Sequence, residues 1–220
     1  MPDWDEQARA AQARYEDGAA RLPDESDEPD ERQRQLTRMA NASWAAGLSL
    51  LMAGRLDHAR TWLLRAAEIY RRSWADAPPD SWGRPIAAVK ARLIAGDGAG
   101  AEADATWAVG LGATRSESPI GRYAATLALL VLVDDPGAAV LASTLLGEET
   151  VPESVTDALS ALAEHDAGGY ESAIRALLED FEVREEFLED VPVADTVLAL
   201  QALAEPRGLG VALESPLLPG

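Results

Sequence analysis

The sequence contains no cysteine and only two histidines. Disulfide bonds and thiolate metal sites are therefore excluded. His58 and His165 each lie beside an aspartate at an expected turn, and neither belongs to an HxxH or HExxH pattern. We expect structural roles for both histidines, and we predict neither a metal site nor a cofactor.

Aromatic residues make up only 5% of the chain, and alanine and leucine dominate over valine and isoleucine. Strands favour β-branched and aromatic residues, whereas alanine and leucine are strong helix formers. The composition therefore predicts an all-α protein. Its 220 residues are enough for one compact domain, or for a short array of repeats, with a continuous core.

Long apolar runs are also missing. The run Tyr123 to Val133 is too short to span a bilayer, and the first residues show no basic and apolar signal pattern. We therefore expect a cytoplasmic protein that has no membrane partner.

Basic residues are scarce, with 19 against 38 acidic residues, and Lys90 is the only lysine. Nucleic acids and anionic membranes bind basic surfaces, so this charge argues against non-specific binding to either. Two explanations of the acidity stay open. A carboxylate-rich surface remains hydrated at high salt, which would make it a halophilic adaptation. It would equally complement a basic partner protein.

Proline and acidic residues divide the chain into three parts. Residues 1–22 predict an N-terminal helix, and residues 23–31, PDESDEPDE, predict an acidic linker. Residues 32–220 predict a helical-repeat domain, whose last helix should end near Glu205, before a short extended segment at 209–213. Four prolines are expected at the starts of helices: Pro85, Pro136, Pro152 and Pro192.

The clearest repeat unit is residues 43–72, SWAAGLSLLMAGRLDHARTWLLRAAEIYRR, where two helical runs meet near Gly54. This unit resembles the tetratricopeptide repeat, although Arg71 replaces the family's later proline. The resemblance implies stacked antiparallel helical hairpins, in a solenoid or a compact array, with one concave face that holds ligands. Four residues stand at the small and apolar packing positions of the family: Gly47, Ala59, Leu63 and Ala66.

No catalytic signature is present. The sequence has no GxSxG motif, and most serines stand at expected caps or turns. The glycine-rich stretch GDGAG, residues 96–100, follows no predicted strand and contains no lysine. It therefore predicts a hairpin turn rather than a phosphate-binding loop. We accordingly predict that the protein is not an enzyme.

Two groups of residues are candidates for a partner-binding site. Tryptophan and arginine are enriched at interaction hot spots, and SWGRP, residues 81–85, is expected on an exposed turn. The acidic segment 179–190, EDFEVREEFLED, is expected to turn its carboxylates outward on a helix. Core packing and a solvated helix face are the open alternatives. The candidates are Trp62, Arg65, Trp74, Trp82, Arg84, Glu182, Glu185 and Glu186.

The C-terminal third resembles the bacterial immunity protein 49 family. The resemblance lies in LAEPRGLGVALESPLLP, residues 203–219, and in the upstream WAAGLSLLMAGRLDHAR, residues 44–60. It implies a non-catalytic protein whose acidic surface neutralises a basic toxin enzyme, and it assigns no binding residue. We predict a protein-binding protein, with toxin neutralisation as its most concrete version. The alternative is a sensor that binds a small molecule or peptide in a Trp/Arg-lined groove, and the oligomeric state is left open.

Overall fold

The computed structural model describes residues 2–22 and 29–220, which form ten α-helices and no β-strand. The all-α prediction is confirmed. None of the described helices is both long enough and apolar enough to cross a membrane. The helices are α1 (Trp4–Ala20), α2 (Pro29–Met52), α3 (Leu56–Ser73), α4 (Gly83–Ile94), α5 (Gly98–Gly110), α6 (Pro119–Val131), α7 (Asp135–Ser143), α8 (Glu153–Glu164), α9 (Ala167–Glu182) and α10 (Asp195–Ala204).

From α1 to α9, helices that are consecutive in the sequence pack against each other, as expected for an array of hairpins. The last helix departs from this order, because α10 returns to the middle of the array and packs against α4. Lys90 on α4 joins the two helices through an ion pair to Asp195, at 3.1 Å, and a hydrogen bond to the Thr196 hydroxyl, at 2.9 Å. The C-terminal helix therefore joins the middle of the array to its last helices, since α10 also contacts α8 and α9.

The hairpin of α2 and α3 has the packing that its sequence predicts. Gly54 lies in the turn with a φ of 72°, a left-handed value that glycine adopts without steric cost. Gly47 faces α3 so closely that a Cβ there would lie 2.7 Å from Leu63 Cγ and 3.1 Å from the Leu63 backbone nitrogen. Ala59 and Ala66 are buried in α3. Small side chains thus bring the two helices together.

Several predicted boundaries shift. Residues 23–28 of the expected linker lie outside the described residues, while Pro29 to Glu31 form the first turn of α2. The acidic segment was predicted as a helix, yet α9 ends at Glu182 and an irregular stretch with a 3-10 turn at Leu188–Asp190 follows. Residues 209–213 are irregular and form no strand.

The expected helix starts and stops are mostly found. Pro85, Pro136 and Pro152 lie at or within the first turns of α4, α7 and α8, whereas α10 begins three residues after Pro192. The α10 helix ends at Ala204, and a 3-10 turn follows at Glu205–Arg207. Residues 96–100 form the turn between α4 and α5 and the start of α5, as predicted.

A cluster of charged side chains ties three turns of the second half together. Arg207 donates to the Leu130 carbonyl at 2.7 Å and pairs with Asp135 at 2.6 Å, and His165 contacts the same carboxylate at 2.8 Å. Burial would raise the pKa of Asp135. The hydrogen bonds and charges of Arg207 and His165 outweigh that effect, and hold the pKa of this carboxyl below its usual range.

We expect Gly47→Ala to lower the free energy of unfolding by about 1–2 kcal/mol, because the added Cβ would force α2 and α3 apart. The clash outweighs the gain in helix propensity of about 1 kcal/mol. Gly110→Ala is the matched control, since a Cβ at Gly110 meets no atom within 4 Å. Urea denaturation measures both, and equal stability of the two variants would contradict the prediction.

We expect Asp135→Asn to lower the free energy of unfolding by about 2 kcal/mol near neutral pH, because it leaves the guanidinium of Arg207 buried without a carboxylate. Since the folded pKa of Asp135 is lowered, its contribution is present above about pH 4 and is lost as the pH falls through that pKa. Urea denaturation at a series of pH values should show the difference from wild type shrinking in acid. Asp17→Asn, which affects the exposed pair with Arg21, should change little at any pH.

Candidate functional site

The predicted tryptophan and arginine residues do not form one surface. Trp62 and Arg65 lie on α3 beside the N-terminal helix, where the Arg65 guanidinium is 4.3 Å from the Trp62 ring centroid and 5.1 Å from that of Tyr15. The rings of Tyr15 and Trp62 meet edge to face at 5.2 Å. These contacts hold α1 against α3, so Trp62 and Arg65 have a packing role.

Trp74 and Trp82 belong to a second aromatic group, with their ring centroids 5.3 Å apart and Trp107 at 6.0 Å from Trp74. The expectation that SWGRP forms an exposed turn is wrong for its two key residues. Trp82 is 6% exposed and Arg84 is 9% exposed. Trp82 packs in the core beside α6, and Arg84 is enclosed between α2, α3 and α4, so neither side chain is available to a partner.

Arg84 is held entirely within the fold. Its guanidinium donates to the Ser73 carbonyl and to the side-chain oxygen of the buried Gln33. Burial, which removes water from the charged guanidinium, lowers the pKa of Arg84. These bonds join α2, α3 and α4.

The carboxylates of the acidic segment are exposed but separate. Glu182 accepts a hydrogen bond from the Ser215 hydroxyl at 2.7 Å, which attaches it to the C-terminal segment. Glu185 and Glu186 follow the end of α9 on the irregular stretch. Because that stretch is not helical, these residues present no common helix face.

An open groove of about 830 Å³ lies between α7, α8 and α9. The residues of α8 that line the groove recur every three or four positions, which is the spacing of one helix face. Glu153, Asp157 and Glu164 therefore lie along the same face. The opposite walls carry small side chains, which keep the groove open. They include Ala139, Ser143, Ser172, Ala173 and Ala176.

The groove is strongly negative. Five carboxylates line it, and its lining among the described residues includes no lysine, arginine or histidine. Asp166 caps α9 by accepting from the backbone of Gly168 and Gly169, and Asp180 accepts from the Ser154 hydroxyl at 2.7 Å. The other three carboxylates have no hydrogen-bond or ion-pair partner within residues 2–22 and 29–220, and they face solvent: Glu153, Asp157 and Glu164.

Three exposed acids outside the groove are neutralised within their own helix. Asp17, Asp30 and Glu171 each pair with an arginine four residues later on the same helix, at 2.9, 3.0 and 2.8 Å. Asp104 is 1% exposed and lies between the guanidinium groups of Arg71 and Arg92. The groove therefore differs from these acidic sites in having no cation of its own.

The groove is not among the features predicted from the sequence. Its signal was present as acidic and small residues at helical spacing on two consecutive helices, in residues 153–164 and 169–180. Such a pattern also describes an ordinary solvated face, and only the packing of α7 beside α8 and α9 makes it concave.

The described residues contain no group of three or more histidine, aspartate or glutamate side chains placed to hold a metal ion.

Comparison with known proteins gives no match. No family model, no curated protein and no solved structure matches this chain.

Proposed function

We propose that this protein is a non-catalytic binding protein that holds a basic segment of another protein in the acidic groove of α7, α8 and α9. The supporting observation is the unpaired row of Glu153, Asp157 and Glu164 in a concave wall that has no cation. A cationic segment would supply the missing counter-charges and relieve the repulsion among these carboxylates.

The dimensions of the groove suit a peptide-sized occupant. Glu153 and Glu164 are the ends of the acidic row, and eleven helical steps of 1.5 Å separate them, so the row is about 16 Å long. That length corresponds to about three turns of a docked helix. The small side chains of α9 allow the backbone of such a helix to come close.

Charge also favours rapid encounter with a basic partner. The formal net charge of −19 attracts cations over the Debye length, and the groove concentrates that attraction at one place. Neutralisation of a basic toxin is the most concrete version of this function, because the resemblance to the immunity family implies it.

No observation favours the alternative of a small-molecule or peptide sensor with a Trp/Arg-lined groove. Trp82 and Arg84, which were expected to line that groove, are buried inside the fold. The acidic groove is open and lined mainly by small and charged residues, whereas small-molecule sites are usually enclosed and apolar.

We expect a triple variant, Glu153→Gln, Asp157→Asn and Glu164→Gln, to bind a helical lysine-rich peptide on the order of tenfold more weakly than wild type at low salt. Each substitution removes one counter-charge from the groove but leaves the side-chain shape nearly unchanged. Binding to the wild-type protein should weaken as salt is added, because screening reduces the attraction. Fluorescence anisotropy of the labelled peptide gives these affinities.

The matched control removes the same number of charges from exposed acids outside the groove: Glu68→Gln, Asp76→Asn and Glu117→Gln. It should retain nearly all of the peptide affinity. An equal loss in both triple variants would mean that only the net charge matters, and would contradict a site in the groove. The same three proteins, used as baits for a native lysate, then test whether a retained basic protein depends on the groove.

A further inference from the structure

A smaller pocket of about 300 Å³ adjoins the acidic groove where the chain passes from α7 to α8. Leu146 and Glu153 line both the groove and this pocket, so the two lie side by side. Leu145, Val151 and Pro152 complete its apolar wall. A side chain from an occupant of the groove can therefore enter the pocket.

A threonine whose buried hydroxyl has no partner among the described residues lines the same pocket. Thr156 is 1% exposed and lines the pocket, yet its Oγ1 has no hydrogen-bond partner in the part of the chain that the structure describes. Burying a hydroxyl that makes no hydrogen bond costs free energy. Thr156 is thus a polar group in need of an external donor or acceptor.

Three other threonines on helices are satisfied locally, whereas the exposed Thr106 on α5 makes no such bond within the described residues. Thr37, Thr61 and Thr126 each donate to the carbonyl oxygen four residues earlier, at 2.8, 3.0 and 2.9 Å. This is the usual bond of a threonine inside a helix. Thr156 does not make the equivalent bond to the Pro152 carbonyl, which leaves its buried hydroxyl without a partner in the described residues, as for the Ser43 and Ser49 hydroxyls on α2.

The rim of the pocket is acidic. Glu148 already pairs with Arg122, whereas Glu149 and Glu153 have no cationic partner among residues 2–22 and 29–220. An occupant that matches all of these features needs an apolar stem for the wall and several separated donors for the hydroxyl and the carboxylates. The arginine side chain has both, with an aliphatic stem and five N–H groups in a planar fork. Lysine has the stem, but it concentrates its charge on one ammonium.

We infer that this side pocket receives an arginine side chain from the partner that lies in the acidic groove. The guanidinium donates to Thr156 Oγ1 and to the carboxylates of Glu149 and Glu153, while its stem packs against Leu146 and Val151. The inference rests on the proposed function, and it adds a specific anchor residue to a site that is otherwise selective only for positive charge.

The test compares two helical peptides that differ only in having lysine or arginine at every cationic position among alanines. Wild-type protein should bind the arginine peptide about tenfold more tightly than the lysine peptide, the effect of one additional charge-assisted hydrogen bond. Thr156→Val keeps the shape of the side chain but removes the acceptor. It should reduce this preference to about twofold or less, without lowering the melting temperature, because the lost hydroxyl has no partner in the free protein.

Thr61→Val is the matched control, because it makes the same substitution on α3, which does not line the pocket. This variant should keep the arginine preference of the wild type. Equal affinity of wild type for both peptides, or a preference that survives in Thr156→Val, would overturn the arginine pocket and leave the acidic groove standing. If neither peptide binds at low salt, the proposed function fails and the pocket fails with it.

Discussion

The close approach of neighbouring helices is the constraint on which the rest of this structure depends. The buried residues are dominated by alanine, and Gly47 lets the Leu63 side chain come within van der Waals contact of the α2 backbone. Side chains this small contribute little hydrophobic area each, so stability requires that many of them pack without gaps. Small side chains also line the acidic groove, where the residues of α9 include serine and alanine.

Arginine compensates for the modest apolar core by linking elements that are distant in the sequence. Arg84 joins α2, α3 and α4, Arg92 joins α4 to α5 through Asp104, and Arg207 joins the ends of α6 and α10 to the start of α7. Guanidinium groups suit this task because they donate in several directions at once. Other arginines, such as Arg21, Arg34 and Arg175, pair with acids on their own helices, and none of these reaches the carboxylates of α8.

The sequence was sufficient to predict those features that local patterns specify. Helical composition, the turn at Gly54 and the contact of Gly47 with α3 all follow from side-chain size and spacing. The exposure of SWGRP could not be predicted in this way, because Trp82 and Arg84 are buried by residues of α2 and α6 that lie far away in the sequence. The helix expected beyond Glu182 failed for a different reason: carboxylates crowd residues 179–190, and Glu189 and Asp190 adopt left-handed backbone angles. The groove was missed because concavity depends on how three helices pack together.

The position of Lys90 has a chemical consequence. It is the only lysine of the chain, it is 9% exposed, and its ammonium is occupied by Asp195 and Thr196. Reagents and enzymes that acylate lysine side chains therefore meet no freely accessible target on the folded protein. Acylation of Lys90 would require α10 to separate from α4. The rate of this single modification would therefore report how often these two helices separate.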